Sequence, residues 1–178
     1  TVGGISDYPP EDVDALQHYR LVKTSGQYLA PARYMQTGEL NYGNFPTWVK
    51  LFERVPGATV EGTAPPNTTV TARVEMAIPF PEKPGTFNYT QYAETGRDGE
   101  FEMTLPYAST GYENWGPENG YTNVSVRATG PYTFSTPGQL GDNLTVTRWE
   151  ANASVPEATV IGEDETPIEV ELEKRVVD

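Results

Sequence analysis

From Trp48 onward, apolar residues recur at every second position of this 178-residue chain, a period that belongs to half-buried β-strands. Val70, Ala72, Val74 and Met76 alternate with Thr71, Arg73 and Glu75. Phe101, Met103 and Leu105 alternate with Glu102 and Thr104, and Val124, Val126 and Ala128 with Ser125 and Arg127. The same rhythm runs through Trp149, Ala151, Ala153 and Val155, and again through Ile168, Val170 and Leu172. Such strands put one face on a core and the other in water. Short strands separated by Gly, Pro and Asn clusters favour a sandwich of antiparallel sheets over a barrel. The expected division is a β-sandwich unit over residues 47–178 and an N-terminal extension over residues 1–46. In the extension, Ser6 or Asp7 can cap a short helix with Pro9 and Pro10 in its first turn and Glu11–His18 following. A short strand over Tyr19–Lys23 comes next, and then a loop broken by Gly and Pro up to Pro46.

Charge narrows the choice of partners. A formal net charge of -13 and a pI near 4.4 argue against nucleic acid or an anionic membrane surface. Only four of the 12 basic residues are Lys: Lys23, Lys50, Lys83 and Lys174. A Lys-poor acidic surface suits concentrated salt, where a Debye length of about 3 Å at 1 M screens self-repulsion; it suits an ordinary acidic secreted domain equally. With no Cys there is no disulfide framework and no thiol nucleophile. No apolar run approaches the roughly 20 residues that span a bilayer. The chain shows neither an initiator Met nor a signal peptide, and it reads as a piece of something larger.

Catalytic chemistry finds little footing. His18 is the sole histidine, and no Gly-x-Ser-x-Gly elbow or phosphate-cradling Gly-x-x-x-x-Gly-Lys run occurs. Asp12/Asp14 and Glu163-Asp164-Glu165 lack EF-hand spacing and read as solvated acidic surface. No catalytic, cofactor-binding or metal-binding residue is therefore expected in this chain. Trp48 and Trp149 fall within strand patterns and are expected in the core. Trp115 lies in the Gly/Pro/Asn-rich loop Gly111–Tyr121, where it is the candidate for contact with a glycan or a protein partner, the alternative being a loop that packs its own aromatics.

The strongest local motif is repeated. Asn67-Thr-Thr, Asn88-Tyr-Thr, Asn123-Val-Ser, Asn143-Leu-Thr and Asn152-Ala-Ser are five N-x-S/T sequons, so Asn67, Asn88, Asn123, Asn143 and Asn152 are candidate N-glycosylation acceptors. For Asn123/Ser125 and Asn152/Ser154, the i and i+2 positions share the polar face of a strand pattern. A Thr-rich β protein with Asn in its turns is the other reading of the same motif.

Whole segments also match a known family. They are Thr-Trp-Val-Lys-Leu-Phe-Glu-Arg-Val-Pro-Gly-Ala-Thr-Val-Glu-Gly (47–62), Pro-Pro-Asn-Thr-Thr-Val-Thr-Ala-Arg-Val (65–74), Thr-Gly-Arg-Asp-Gly-Glu-Phe-Glu-Met-Thr-Leu-Pro (95–106), the loop and strand of Gly111–Tyr132, and His18-Tyr19-Arg20-Leu21-Val22. Together they resemble the soluble C-terminal region of the archaeal oligosaccharyltransferase catalytic subunit, AglB type, in its haloarchaeal form. The Thr95–Phe101 segment is expected to form a hairpin, with Asp98-Gly99 supplying the positive φ values of its tight turn, and it also resembles the turn of carboxypeptidase-regulatory-like domains. The fold expected is thus mainly β, an immunoglobulin-like or carboxypeptidase-regulatory-like sandwich with an N-terminal extension containing one short helix.

The resemblance implies a parent that is an enzyme, a multi-pass membrane glycosyltransferase. Such a parent moves a glycan from a dolichyl-phosphate carrier to the Asn of N-x-S/T on an acceptor polypeptide at the extracellular face of the membrane. It implies a divalent metal, Mg or Mn, held by carboxylates of the transmembrane part. It also implies a Trp-Trp-Asp-Tyr-Gly acceptor motif, and neither feature occurs in this sequence. Residues 1–46 would then be the end of the central soluble core and residues 47–178 a peripheral unit, inactive alone and supporting the catalytic core. Its partners would be the rest of the parent chain and, through it, the acceptor polypeptide and the lipid-linked oligosaccharide, with no nucleic acid. The alternative is a stand-alone immunoglobulin-like surface or adhesion module of a halophilic archaeon.

Overall fold

A computed structural model describes residues 15–25, 49–79, 85–140 and 145–177. Within them the chain forms a ribbon and two packed sheets. The ribbon pairs β1 (Tyr19–Thr24) with β2 (Lys50–Arg54). β3 (Ala58–Thr63), β6 (Glu100–Leu105) and β11 (Ile168–Glu171) make the small sheet, in the order β11-β3-β6. The large sheet runs β12-β10-β8-β4-β5, from β12 (Glu173–Val177), β10 (Val146–Ala153), β8 (Tyr132–Ser135), β4 (Thr69–Ile78) and β5 (Gly85–Glu94). Two short strands join it: β7 (Arg127–Ala128) on β4 and β9 (Gln139–Leu140) on β10.

The alternation read from the sequence becomes the inner face of the sandwich. Val70, Ala72, Val74 and Met76 of β4 are buried with Phe87 and Tyr89 of β5 and Tyr132 and Phe134 of β8. They form one core with Ala58, Val60, Phe101, Met103, Leu105 and Val170 of the small sheet. β4 holds the large sheet together by pairing with β5 over ten residues and with β7 and β8 on its other side. Gly62 of β3 is required by a close approach. It sits opposite Phe101, and a Cβ there would lie 2.6 Å from the Phe101 ring and 2.3 Å from the Val170 carbonyl oxygen.

The Asp98-Gly99 turn is present, but it does not close a two-stranded hairpin. β5 pairs with β4 and β6 pairs with β3, so the turn carries the chain from one sheet to the other. Gly99 alone takes the positive φ (86°); Asp98 instead accepts from the Glu100 amide through its carboxylate (3.1 Å). The Ala64–Thr68 connection crosses between the sheets at the same end. The buried Thr95 hydroxyl ties the two crossings, accepting from the Thr68 amide (2.9 Å) and donating to the Pro65 carbonyl (2.7 Å).

Other expectations meet the structure unevenly. The helix expected over Glu11–His18 lies mostly outside the described residues, and its last four, Ala15–His18, are irregular. The α-helix among the described residues is α1 (Glu157–Ile161), begun after Pro156 and ended by Gly162 in the left-handed region (φ 83°). The strand expected over Val124–Ala128 shrinks to β7, because Ser125 and Val126 give their amides to the Val22 carbonyl rather than to a neighbouring strand. Trp149 is half-buried at the core margin with the Lys174 ammonium 5.3 Å from its ring centre, and Trp48 lies outside the described residues.

One buried ion pair binds the ribbon to the rest. Arg20 of β1 and Glu157 of α1, each 1% exposed, meet through two parallel bonds of 2.7 Å, from Nη1 to Oε2 and from Nη2 to Oε1. Arg20 Nε donates a third bond, 2.9 Å, to Glu53 of β2. Burial works to lower the Arg20 pKa, but the bonds and charges of Glu157 and Glu53 outweigh it and the net shift is upward. Removing one partner strands a buried charge at a cost of about 3–5 kcal/mol, whereas a well-packed apolar pair can be neutral or better. Arg20→Met and Glu157→Leu should each lower the urea midpoint sharply, and the double variant should regain most of the loss. Additive losses in the double variant would show that the pair is not the coupling element.

The core tyrosines set an alkaline limit. Burial pushes the Tyr107 phenol up to about 12, despite the Leu21 amide that donates to its oxygen (2.8 Å), and it raises Tyr89 and Tyr132 as well. A phenol with a raised folded pKa contributes stability that is complete below its unfolded pKa of 10 and disappears as pH rises through the folded value. The melting temperature should therefore hold up to pH 10 and fall steeply between pH 10 and 12, in step with phenolate absorbance. A flat profile across that window would contradict it.

Candidate functional site

The Gly111–Tyr121 loop owes its shape to its Gly, Pro and Asn residues. Gly111 (φ 82°) opens a single 3-10 turn over Tyr112–Asn114, and a second over Pro117–Asn119 ends at Gly120 (φ 87°). The turns are pinned by the Tyr121 amide on the Gly116 carbonyl (3.2 Å) and by Asn119 Nδ2 on the Asn114 carbonyl (3.0 Å). Trp115 is half-buried and meets Tyr121 edge-to-face, ring centres 4.9 Å apart at 88°. The Tyr121 hydroxyl donates to Glu163 (2.8 Å), and that bond holds its phenol above the ordinary value. On the core side Tyr112 donates to the Ala108 carbonyl, and the Arg127 guanidinium lies 4.9 Å from its ring centre.

These residues border a concavity of about 360 Å³ that includes Trp115, Glu113, Glu118, Asn123 and Arg127. A fixed indole flanked by carboxylate acceptors and a guanidinium donor suits a hydroxyl-rich or peptide ligand by stacking and hydrogen bonding. Among the described residues that line it there is no nucleophile-and-base pair. His18, far along the chain, donates to the Pro56 carbonyl (2.7 Å). Among the described residues no three His, Asp or Glu side chains are grouped to hold a metal ion, and no helix is long and apolar enough to cross a membrane.

The sequons scatter. Asn123 is exposed beside Trp115, but its partner Ser125 donates to the Val22 carbonyl (2.9 Å). Asn67 is exposed in the Ala64–Thr68 crossing, and Asn152 is exposed on β10. Asn88 is half-buried on β5, opposite Glu75, and Asn143 lies outside the described residues. Arg20 and Glu157, the most deeply buried charges among the described residues, were missed by sequence reasoning. Their partnership spans 137 positions and leaves no local signature.

A second feature was not foreseen either. Glu169, Glu61 and Glu102 stand directly opposite one another across the three strands of the small sheet, with Glu171 and Glu100 flanking Thr63 in another row. They line an open groove of about 960 Å³. Like charges directly opposite destabilise a sheet, and salt screens them. The melting temperature should climb between about 0.1 M and about 2 M KCl, the range over which the Debye length contracts most usefully. Glu61→Lys should raise it at low salt and flatten the climb. An unchanged salt dependence in that variant would remove the ladder as its source.

The model of the archaeal glycosylation protein B long peripheral domain matches residues 57–166. The chain is 48% identical to the dolichyl-monophosphooligosaccharide–protein glycotransferase AglB of Haloferax volcanii over 188 aligned residues, covering 97% of this chain and 18% of that protein. It thus spans less than a fifth of the length of that relative. Two solved structures share the fold. The Archaeoglobus fulgidus oligosaccharyltransferase with zinc and sulfate gives a TM-score of 0.60 at 18% identity, over 89% of this chain and 23% of that one. The Archaeoglobus fulgidus oligosaccharyltransferase AglB with an inhibitory peptide and a dolichol-phosphate gives 0.59 at 18% identity, over 89% and 21%.

Proposed function

Since the chain belongs to the archaeal glycosylation protein B family, we propose that it is a non-catalytic peripheral part of a membrane oligosaccharyltransferase, bracing the catalytic core on the extracellular side. The parent would transfer a glycan from a dolichyl-phosphate carrier to Asn in N-x-S/T, with a divalent metal bound outside this chain. The observation that carries the supporting role is the Arg20–Glu157 pair. It ties β1, which lies within residues 1–46, the segment read as the end of the central core, to α1 of the β-sandwich proposed over residues 47–178. Tyr89 adds a bond to the Leu16 carbonyl (3.0 Å), and the His18 carbonyl accepts from the Val55 amide (3.0 Å). A brace needs such rigid attachment at its root. The match to the Haloferax volcanii protein favours this reading over a stand-alone module, because covering 97% of the chain it must extend into residues 1–46.

Trp115 is the residue of this unit we assign to contact with the glycan or with another part of the parent, since it is fixed by Tyr121 yet not wholly buried.

The test compares the isolated chain with the full-length parent. With Mg or Mn, a lipid-linked glycan and an N-x-T peptide, the parent should yield glycopeptide and the isolated chain none. Arg20→Met in the parent should leave the initial rate near wild type while shortening the half-life of activity on warming several-fold. Glycopeptide from the isolated chain would overturn the non-catalytic assignment, and an unchanged half-life would overturn the bracing role.

A further inference from the structure

Being rich in sequons, the chain could itself be an acceptor, and its geometry separates the sequons by fitness. An N-linked glycan replaces one hydrogen of Asn Nδ2, so that atom must face water, and the side-chain carbonyl can keep any bond it already accepts. Asn67 meets the first condition. It is exposed at a sheet crossing and is the one non-glycine residue with positive φ (52°) among the described residues. Its backbone amide is used, on the Gly96 carbonyl (3.2 Å), and no side-chain hydrogen bond of Asn67 is found among those residues.

Asn152 meets both conditions. It is exposed, and its Oδ1 accepts from Thr133 of the neighbouring strand (3.1 Å), which turns the amide nitrogen away from β8, the strand that pairs there among the described residues. The pairing of β10 with β12 stops at Glu150, so among the described residues no second strand is hydrogen-bonded to β10 at Asn152. Its sequon hydroxyl, Ser154, is exposed as well.

The other two described sequons are poorer. Asn88 is half-buried in the body of β5, between flanking residues Phe87 and Tyr89 whose side chains are in the core. The Asn123 sequon has its hydroxyl committed to the Val22 carbonyl and its middle residue, Val124, buried.

We propose that this chain is N-glycosylated at Asn67 and Asn152 and left unmodified at Asn88. This rests on the extracellular placement given above. The donor is a glycan esterified through its C1 to a lipid phosphate. Nδ2 attacks that carbon, the C1–O bond to phosphate breaks, the lipid phosphate leaves with the bonding pair, and the displaced amide proton passes to solvent or to the leaving phosphate. No oxidant or reductant enters.

The experiment uses the full-length parent purified from its own cells, with peptide mass spectrometry across each sequon. Two variants keep the fold while removing an acceptor sequon. Asn67→Gly preserves the left-handed backbone, and Ser154→Ala deletes the sequon hydroxyl but leaves the Asn152–Thr133 bond. Glycan-bearing peptides should appear at Asn67 and Asn152, and each variant should lose one of them and not the other. The Asn88 peptide should carry the bare asparagine mass. Bare masses at both Asn67 and Asn152, in cells whose other sequon-bearing surface proteins are modified, overturn the proposal. So does a glycan found at Asn88. Protease treatment of intact cells distinguishes the two readings. Cleavage of the chain keeps the extracellular placement when glycosylation fails, and protection makes both fall together.

Discussion

A guanidinium and a carboxylate, both shut away from water, organise this molecule. Each ion alone would be intolerable inside a protein; together, in a fork-to-fork geometry with Glu53 as a third party, they are not. Satisfying Arg20 requires β1, β2 and α1 to arrive at one place, and most of the remaining polar bonds of that region depend on the arrival. Leu21 reaches the Tyr107 hydroxyl, and the Val22 carbonyl, released by the irregular register between Leu21 and Lys23, receives two amides from the Ser125–Val126 segment. Tyr107 in turn accepts through its carbonyl from Tyr132 (3.0 Å) and packs on Tyr89 with ring centres 5.0 Å apart. The pair specifies where the ribbon sits, which apolar contacts alone do not do.

The two sheets present opposite characters to solvent. Outside the small sheet, carboxylates face one another in rows. Across the large sheet, one row runs Asn152, Thr133, Arg73 and Thr90, mostly neutral hydroxyls and amides. The like-charge crowding of Glu61, Glu102, Glu169, Glu100 and Glu171 is thus a property of the small sheet.

Much of the fold was legible in the sequence, for a physical reason. β4, β6 and β11 alternate because each has one face on the core, and a period of two survives in any single strand, whereas β10 shows it in its residue types but is half-buried along most of its length. β5 went unread even though Phe87, Tyr89 and Gln91 point inward, since its outer face carries Tyr92 and Ala93 follows on the inner run, blurring the contrast. α1 escaped because five residues are too few to show a helical period, although Pro156 and Gly162 punctuate it. The Asp-Gly turn was legible as a turn but not as a change of sheet, because which strands pair is decided by packing far along the chain. Of the candidate site, Trp115 and the sequons could be picked out as residue types, but Arg20 and Glu157 could not. Their meaning exists only once residues 137 positions apart are brought together.

The small sheet is completed from the far end of the chain. β3 pairs antiparallel with β6 nearby, but its other edge is filled by β11, laid parallel, with Val60 beside Ile168. On the ribosome, β3 would emerge with one edge bare and stay so while more than a hundred further residues are made. During that interval the Gly62 backbone and the Val60 edge are a strand template open to any passing chain. The crowd of glutamates on this sheet, awkward in the finished protein, gives the half-built one a charged margin against pairing with its neighbours.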